Sequence, residues 1–182
     1  MLTPDNIAKL AHELYDARKS RTQVRHFSRR FPEMGIEDGY AIQRAWVQLE
    51  LADGRSIKGR KIGLTSRAMQ QASQITEPDF APLMDDMFFA QGSDIEASRF
   101  IAPRIEVELA FILGKPLKGP GVTLFDVLSA TEYVTPAIEI IDSRIEQFDR
   151  HTRVMRKVFD TISDNAANAG IVVGAEKADP HA

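Results

Sequence analysis

The sequence predicts a mixed α/β protein with helices early and strands later. Two observations carry this. Between Thr3 and Leu51 apolar residues recur at helical spacing, whereas from Ser56 onward they alternate or run in short blocks bounded by glycine and proline. The chain has 182 residues, 43% hydrophobic and 27% charged, which suffices for one globular domain with a sizeable core. That single domain is expected over residues 1–174, with a helical part at 1–52 and a β-rich part at 55–174, and residues 175–182 read as a charged, structureless tail.

Composition excludes several functions. A net charge of -3 offers no basic field for nucleic acid. The absence of cysteine removes disulfides, thiolate zinc sites and cysteine nucleophiles, and suits a reducing compartment such as the cytoplasm. No apolar run approaches the roughly 18 residues a membrane helix needs. Asp5, Glu13 and Asp16, with no long apolar core, argue against a secretion signal. A small-molecule partner is therefore expected.

Taken in order, Thr3-Pro4 reads as an N-cap followed by proline at the first helical position, and Ile7, Leu10, Ala11 and Leu14 form one stripe of a helix ending near Lys19. Arg18, Lys19, Arg21, Arg25, His26, Arg29 and Arg30 then form a basic stretch, either a solvated loop or a surface for an anionic substrate or a neighbouring subunit. Glu37 to Leu51 predicts a second helix through Ile42, Ala45, Trp46 and Leu49. Ser56 to Leu64 predicts a strand interrupted by Gly59 and Gly63, with Lys61 between them; glycine in a strand often marks close approach of a backbone or a ligand. Ser66 caps a short helix. Thr76 to Leu83, with two prolines, predicts an ordered loop or lid that carries Asp79. Met87 to Phe89 and Tyr133 to Ile141 read as strands, Thr123 caps a helix between them, Gln147 to Arg156 is a polar loop, and Ala169 to Gly174 is a last strand.

Arg104 to Leu113 is the stretch around which the rest is organised. Read as a strand, it puts Ile105, Val107, Leu109 and Phe111 on one face and Glu106, Glu108 and Ala110 on the other. Two carboxylates then project side by side about 7 Å apart, either as a solvated strand face or as half of a divalent-metal site. Glu139 stands in the apolar run Ile138 to Ile141, where a carboxylate is costly to bury without a partner. Asp142 and Arg144 follow at a spacing that lets them pair. Three carboxylates and no cysteine favour magnesium, manganese or calcium over zinc, and a nearby lysine would balance the charge.

The stretches Gly59-Arg60-Lys61-Ile62-Gly63-Leu64-Thr65, Pro103 to Glu108, Pro136 to Arg144 and Ser163-Asp164-Asn165-Ala166 resemble the 2-oxoalkenoate hydratase/decarboxylase family of the fumarylacetoacetate hydrolase-like superfamily. The resemblance runs from Met1 to Gly174. It implies N-terminal helices packed on a curved, mostly antiparallel, barrel-like sheet, and a homo-oligomer. It implies Mg2+ or Mn2+ on Glu106, Glu108 and Glu139, catalytic roles for Lys61 and Asp79, and substrate contacts from Lys61, Leu83 and Ser163. The implied reaction is hydration of 2-oxohept-4-ene-1,7-dioate to 4-hydroxy-2-oxoheptanedioate in homoprotocatechuate degradation. A 2-oxo-enedioate decarboxylase, an acylpyruvate hydrolase and a non-catalytic truncated chain are the alternatives. The distal carboxylate of such a diacid needs a cation, for which Arg25 or His26 are the candidates. Family members continue past the position of Gly174 with further strands, which Ala175 to Ala182 do not match; a truncation or frameshift there is the expectation.

Overall fold

The computed structural model describes residues 1–181. Three helices open the chain: α1 (Pro4–Ser20), α2 (Phe27–Arg30) and α3 (Ile36–Ala52). Thr3 Oγ1 accepts from the Asn6 amide at 3.3 Å, and Pro4 occupies the first turn, where an N–H would have no partner. Arg21, in the left-handed region, ends α1. Leu10 and Leu14 of α1 meet Ile42 and Trp46 of α3, and with Phe27, Met84, Met87 and Ile145 they make the apolar core. The basic stretch is therefore partly helical, and α2 buries Phe27 and Ser28 within it.

The strands follow: β1 (Ile57–Gly63), β2 (Asp79–Met84), β3 (Phe88–Phe89), β4 (Arg104–Leu113), β5 (Thr131–Ile141) and β6 (Asn168–Val173). Between them lie α4 (Arg67–Ser73), capped by Ser66, α5 (Leu124–Ala130), capped by Thr123, and α6 (Val158–Ser163). Among the described residues the strands form two sheets. One pairs β1 with β2, and the other runs β3-β6-β5-β4. Every pairing is antiparallel except β3 with β6. The sheets do not close on one another, so the fold is mixed α/β without a complete barrel.

Four local expectations change. Residues 79–84 form strand β2, not a loop or lid. Its Pro82 has no N–H to donate, yet its carbonyl accepts from Asn165 Nδ2 at 3.1 Å and Asn168 Nδ2 at 3.0 Å, so side chains satisfy what a further strand would have satisfied. Helix α6 forms over Val158–Ser163, where no helix was expected. The tail is not structureless, since Ala178 exchanges two backbone hydrogen bonds with Val134, at 2.8 and 2.9 Å. Asp142 and Arg144 do not pair. Asp142 accepts from the amides of Ile101 and Ala102, while Arg144 Nε donates to Asp164 Oδ1 at 2.6 Å. Buried Asp164 also accepts from the amides of Arg144 and Ile145, which satisfies its charge better than a neighbour two residues from Arg144 could.

Candidate carboxylate and lysine site

Strands β4 and β5 pair over their full length with Glu106 directly opposite Glu139. Cross-strand partners share a face, so Glu106 and Glu139 meet side by side, and the two-residue period brings Glu108 to the same face. One carboxylate oxygen of each lies within 4.8 Å of the others. Glu106 and Glu108 are exposed, whereas Glu139 is buried. The shared face that the alternation of β4 predicts for Glu106 and Glu108 is therefore present, and Glu139 joins it from β5.

Lys61 enters from the other sheet. Its Nζ lies 2.8 Å from Glu139 Oε1 and donates to Ala166 O at 3.3 Å. Asp79, the first residue of β2, sits opposite Gly63 in the β1–β2 register. A Cβ on Gly63 would stand 2.4 Å from Asp79 Oδ1 and 3.7 Å from Lys61 Cε, so only glycine lets the Asp79 carboxylate lie against the strand beside Lys61. The Ala166 carbonyl is presented by Asn165, Ala166 and Ala167, all three in the left-handed region with φ of 52°, 50° and 57°. This local geometry takes in the second half of the Ser163 to Ala166 motif and the residue after it.

The electrostatics follow from burial and crowding. Burial pushes the Glu139 carboxyl above the usual carboxylate range, Lys61 opposes that, and Glu106 and Glu108 add to it. Burial likewise raises Asp79, against the pull of Lys61. Asp79 Oδ1 and Glu139 Oε1 are buried without an aligned hydrogen bond among the described residues. Four carboxylates face one ammonium group. Such a set suits a hard cation, which would relieve the repulsion among the carboxylates.

Lys61, Asp79, Glu106 and Glu108 line one cavity of about 1040 Å³, together with Gly63 to Ser66 and residues of the segment 155–159. Leu83 and Ser163 do not line it. Leu83 is buried against Gly59, and Ser163, fully buried, donates to Phe159 O at 2.7 Å. Arg25 and His26 are also absent from the cavity wall. Arg25 approaches Asp149, and His26 is buried at the start of α2, because the chain turns there into the core. Arg104 and Arg156 line the cavity and were not singled out from the sequence; Arg104 shares the even register of Glu106 and Glu108, which was the available signal.

Fold and site together define a mixed α/β protein with a carboxylate–lysine centre fitted to a hard cation, opening on a cavity of small-molecule size. No family model matches the chain. It is 60% identical over 171 residues to a 2-oxo-hept-4-ene-1,7-dioate hydratase of Escherichia coli, covering 94% of this chain and 64% of that protein. It is 40% identical over 175 residues to a 2-hydroxypent-2,4-dienoate hydratase of Pseudomonas putida, covering 96% of this chain and 76% of that protein. A solved 4-oxalocrotonate decarboxylase from Pseudomonas putida G7, complexed with magnesium and adipate, superposes with a TM-score of 0.90 at 31% identity, covering 100% of this chain and 66% of that one. The chain belongs to the 2-oxoalkenoate hydratase/decarboxylase family. It spans under two thirds of the length of the E. coli hydratase.

Proposed function

We propose that this chain carries the site of a divalent-metal-dependent hydratase that adds water to 2-oxohept-4-ene-1,7-dioate, giving 4-hydroxy-2-oxoheptanedioate in aromatic catabolism. The observation that carries this is the meeting of Glu106, Glu108 and buried Glu139 beside Lys61, at a cavity lined by Lys61, Glu106 and Glu108, in a chain 60% identical to a hydratase of that substrate. Glu106, Glu108 and Glu139 would hold Mg2+ or Mn2+. When bound, the ion supplies a Lewis acid for an α-oxo acid.

The residues of the chain do the rest. Lys61 Nζ, held between Glu139 and Ala166 O, delivers a proton to C5 of the 2-hydroxy-dienoic tautomer as the 2-hydroxyl proton leaves. Asp79, raised by burial, takes a proton from the water that adds at C4, and C3 receives one. Ser163 supports the wall through Phe159, and Leu83 packs against Gly59 in the strand that carries Lys61. The same reading includes a barrel-like closure of the sheet, a homo-oligomer and a cytoplasmic location. The exposed apolar side chains of β4 support the first two, since such a face gains by being covered. No helix of the described residues is long and apolar enough to cross a membrane.

A decarboxylase acting on a 2-oxo-enedioate is the second reading, supported by the likeness to 4-oxalocrotonate decarboxylase. One experiment separates them: magnesium is added to the metal-free protein with the dienedioate, and loss of the conjugated chromophore is followed beside carbon dioxide release. Hydration consumes the chromophore without gas. Gas in step with chromophore loss would favour the decarboxylase, and no turnover with or without magnesium would overturn both. Glu106→Ala should abolish the magnesium dependence.

A further inference from the structure

The charges on the cavity wall are segregated. Asp79, Glu106 and Glu108 gather at Lys61, whereas Arg104, Arg156 and Lys157 lie on the same wall without a matching carboxylate on it. Arg104 is exposed and forms no ion pair among the described residues. It lies two residues before Glu106 on the same face of β4, about 7 Å along the strand. The two terminal carboxyl carbons of an extended seven-carbon chain are separated by six bonds, about 7.5 Å. A diacid with one end at the glutamates is therefore long enough for its other end to reach Arg104 on the same wall.

Arg156 completes that end. Its side chain is 11% exposed, and its one hydrogen bond among the described residues runs from Nη1 to Ile145 O at 3.1 Å. Asp164 lies 3.8 Å from Nη1 but is already engaged by Arg144 and two amides, and Asp160 is turned to Ser28 and the Lys157 amide. Burial weakens the hold of Arg156 on its proton; the charges of Asp164 and Asp160 oppose this, and those of Arg144 and Arg104 add to it. Two guanidinium groups of like charge on one wall repel each other until an anion sits between them, and their planar forks match a carboxylate.

We propose that Arg104 and Arg156 bind the distal carboxylate and select diacids over mono-acids, an inference that rests on the hydratase reading for the placement of the first carboxylate. Relatives at 40% identity or below include a 2-hydroxyhexa-2,4-dienoate hydratase of Comamonas testosteroni and a 2-keto-4-pentenoate hydratase of Paraburkholderia xenovorans, named for acids without a second carboxylate. The same fold thus serves both substrate kinds, and the discrimination must lie in a few side chains.

Calorimetry with two saturated, unreactive probes tests this: 2-oxoheptanedioate and 2-oxoheptanoate, each titrated into the protein with magnesium present. The parent chain should bind the diacid at least tenfold more tightly. Arg156→Gln and Arg104→Gln should each bring the ratio of the two affinities towards one, and Arg156→Lys should restore part of it. Arg104 is exposed, so its replacement spares folding and keeps the test open if Arg156→Gln does not fold. Equal affinities in the parent, or an unchanged ratio in Arg104→Gln, overturn the selectivity assignment and leave the hydratase reading intact. Binding of neither probe overturns both.

Discussion

Helix α3 and strand β4 are both patterned with large apolar residues, but their surroundings differ. Ile42 and Trp46 on α3 are 0% and 1% exposed, while Ile105 and Val107 on β4 are 73% and 88% exposed. The helical layer holds its stripe against α1 and the Met84–Met87 segment. Strand β4 is fixed by its hydrogen-bond ladder to β5, and its apolar face is largely exposed. Cohesion therefore resides in the helical layer, and the strand that bears two of the three glutamates contributes geometry more than stability.

The largest expected effect lies in that layer. Trp46→Ala should cost about 3–5 kcal/mol in urea unfolding, because it opens a cavity in a fully packed core. A loss near zero would break the contrast. Next comes Lys61→Met, which touches the site and spares the core. Turnover of the dienedioate should fall by about 100-fold or more while magnesium affinity is retained, and kinetics beside a metal titration would read both. Asp149→Asn sharpens the comparison through pH. Bonds from the Thr152 amide first, and also from Thr152 Oγ1, the His151 amide and Arg29, hold the Asp149 carboxyl well below the usual aspartate range. A depressed pKa adds stability above the unfolded value and loses it as pH falls through the folded one. The parent should therefore exceed the variant at neutral pH, with the gap closing on acidification, as measured by thermal melts. The smallest effect belongs to Val107→Thr on the exposed face of β4, which should stay within about 0.5 kcal/mol.

The residues themselves account for much of this arrangement. The Thr3-Pro4 start of α1, the stripe of α3 and the alternation of β4 follow from local rules and could be read directly. The buried Glu139 called for a partner, and Lys61 is that partner. What escaped reading depends on distant contacts. Strand β2 was hidden by Pro78 before it and Pro82 within it, because the side chains that satisfy Pro82 O come from Asn165 and Asn168, more than 80 positions away. Arg144 chose Asp164 over Asp142 for a similar reason, since a nearer acid was already engaged by the Ile101 and Ala102 amides. Periodicity says which residues share a face, and it is silent on whether another element covers that face. The arginines at the far end of the cavity escaped because one belongs to a strand and the other to a polar loop, which only tertiary structure joins.

The turn Asn165 to Ala167 winds against the handedness natural to L-amino acids, at roughly 1–2 kcal/mol per residue. It stays wound because Asn165 and Asn168 clamp it to the carbonyl of Pro82 and to each other. A spring held in this way recoils first when its clamp loosens. Loosening that clamp, as in Asn168→Ala, should therefore deprive the ammonium group of Lys61 of the oxygen that steadies it.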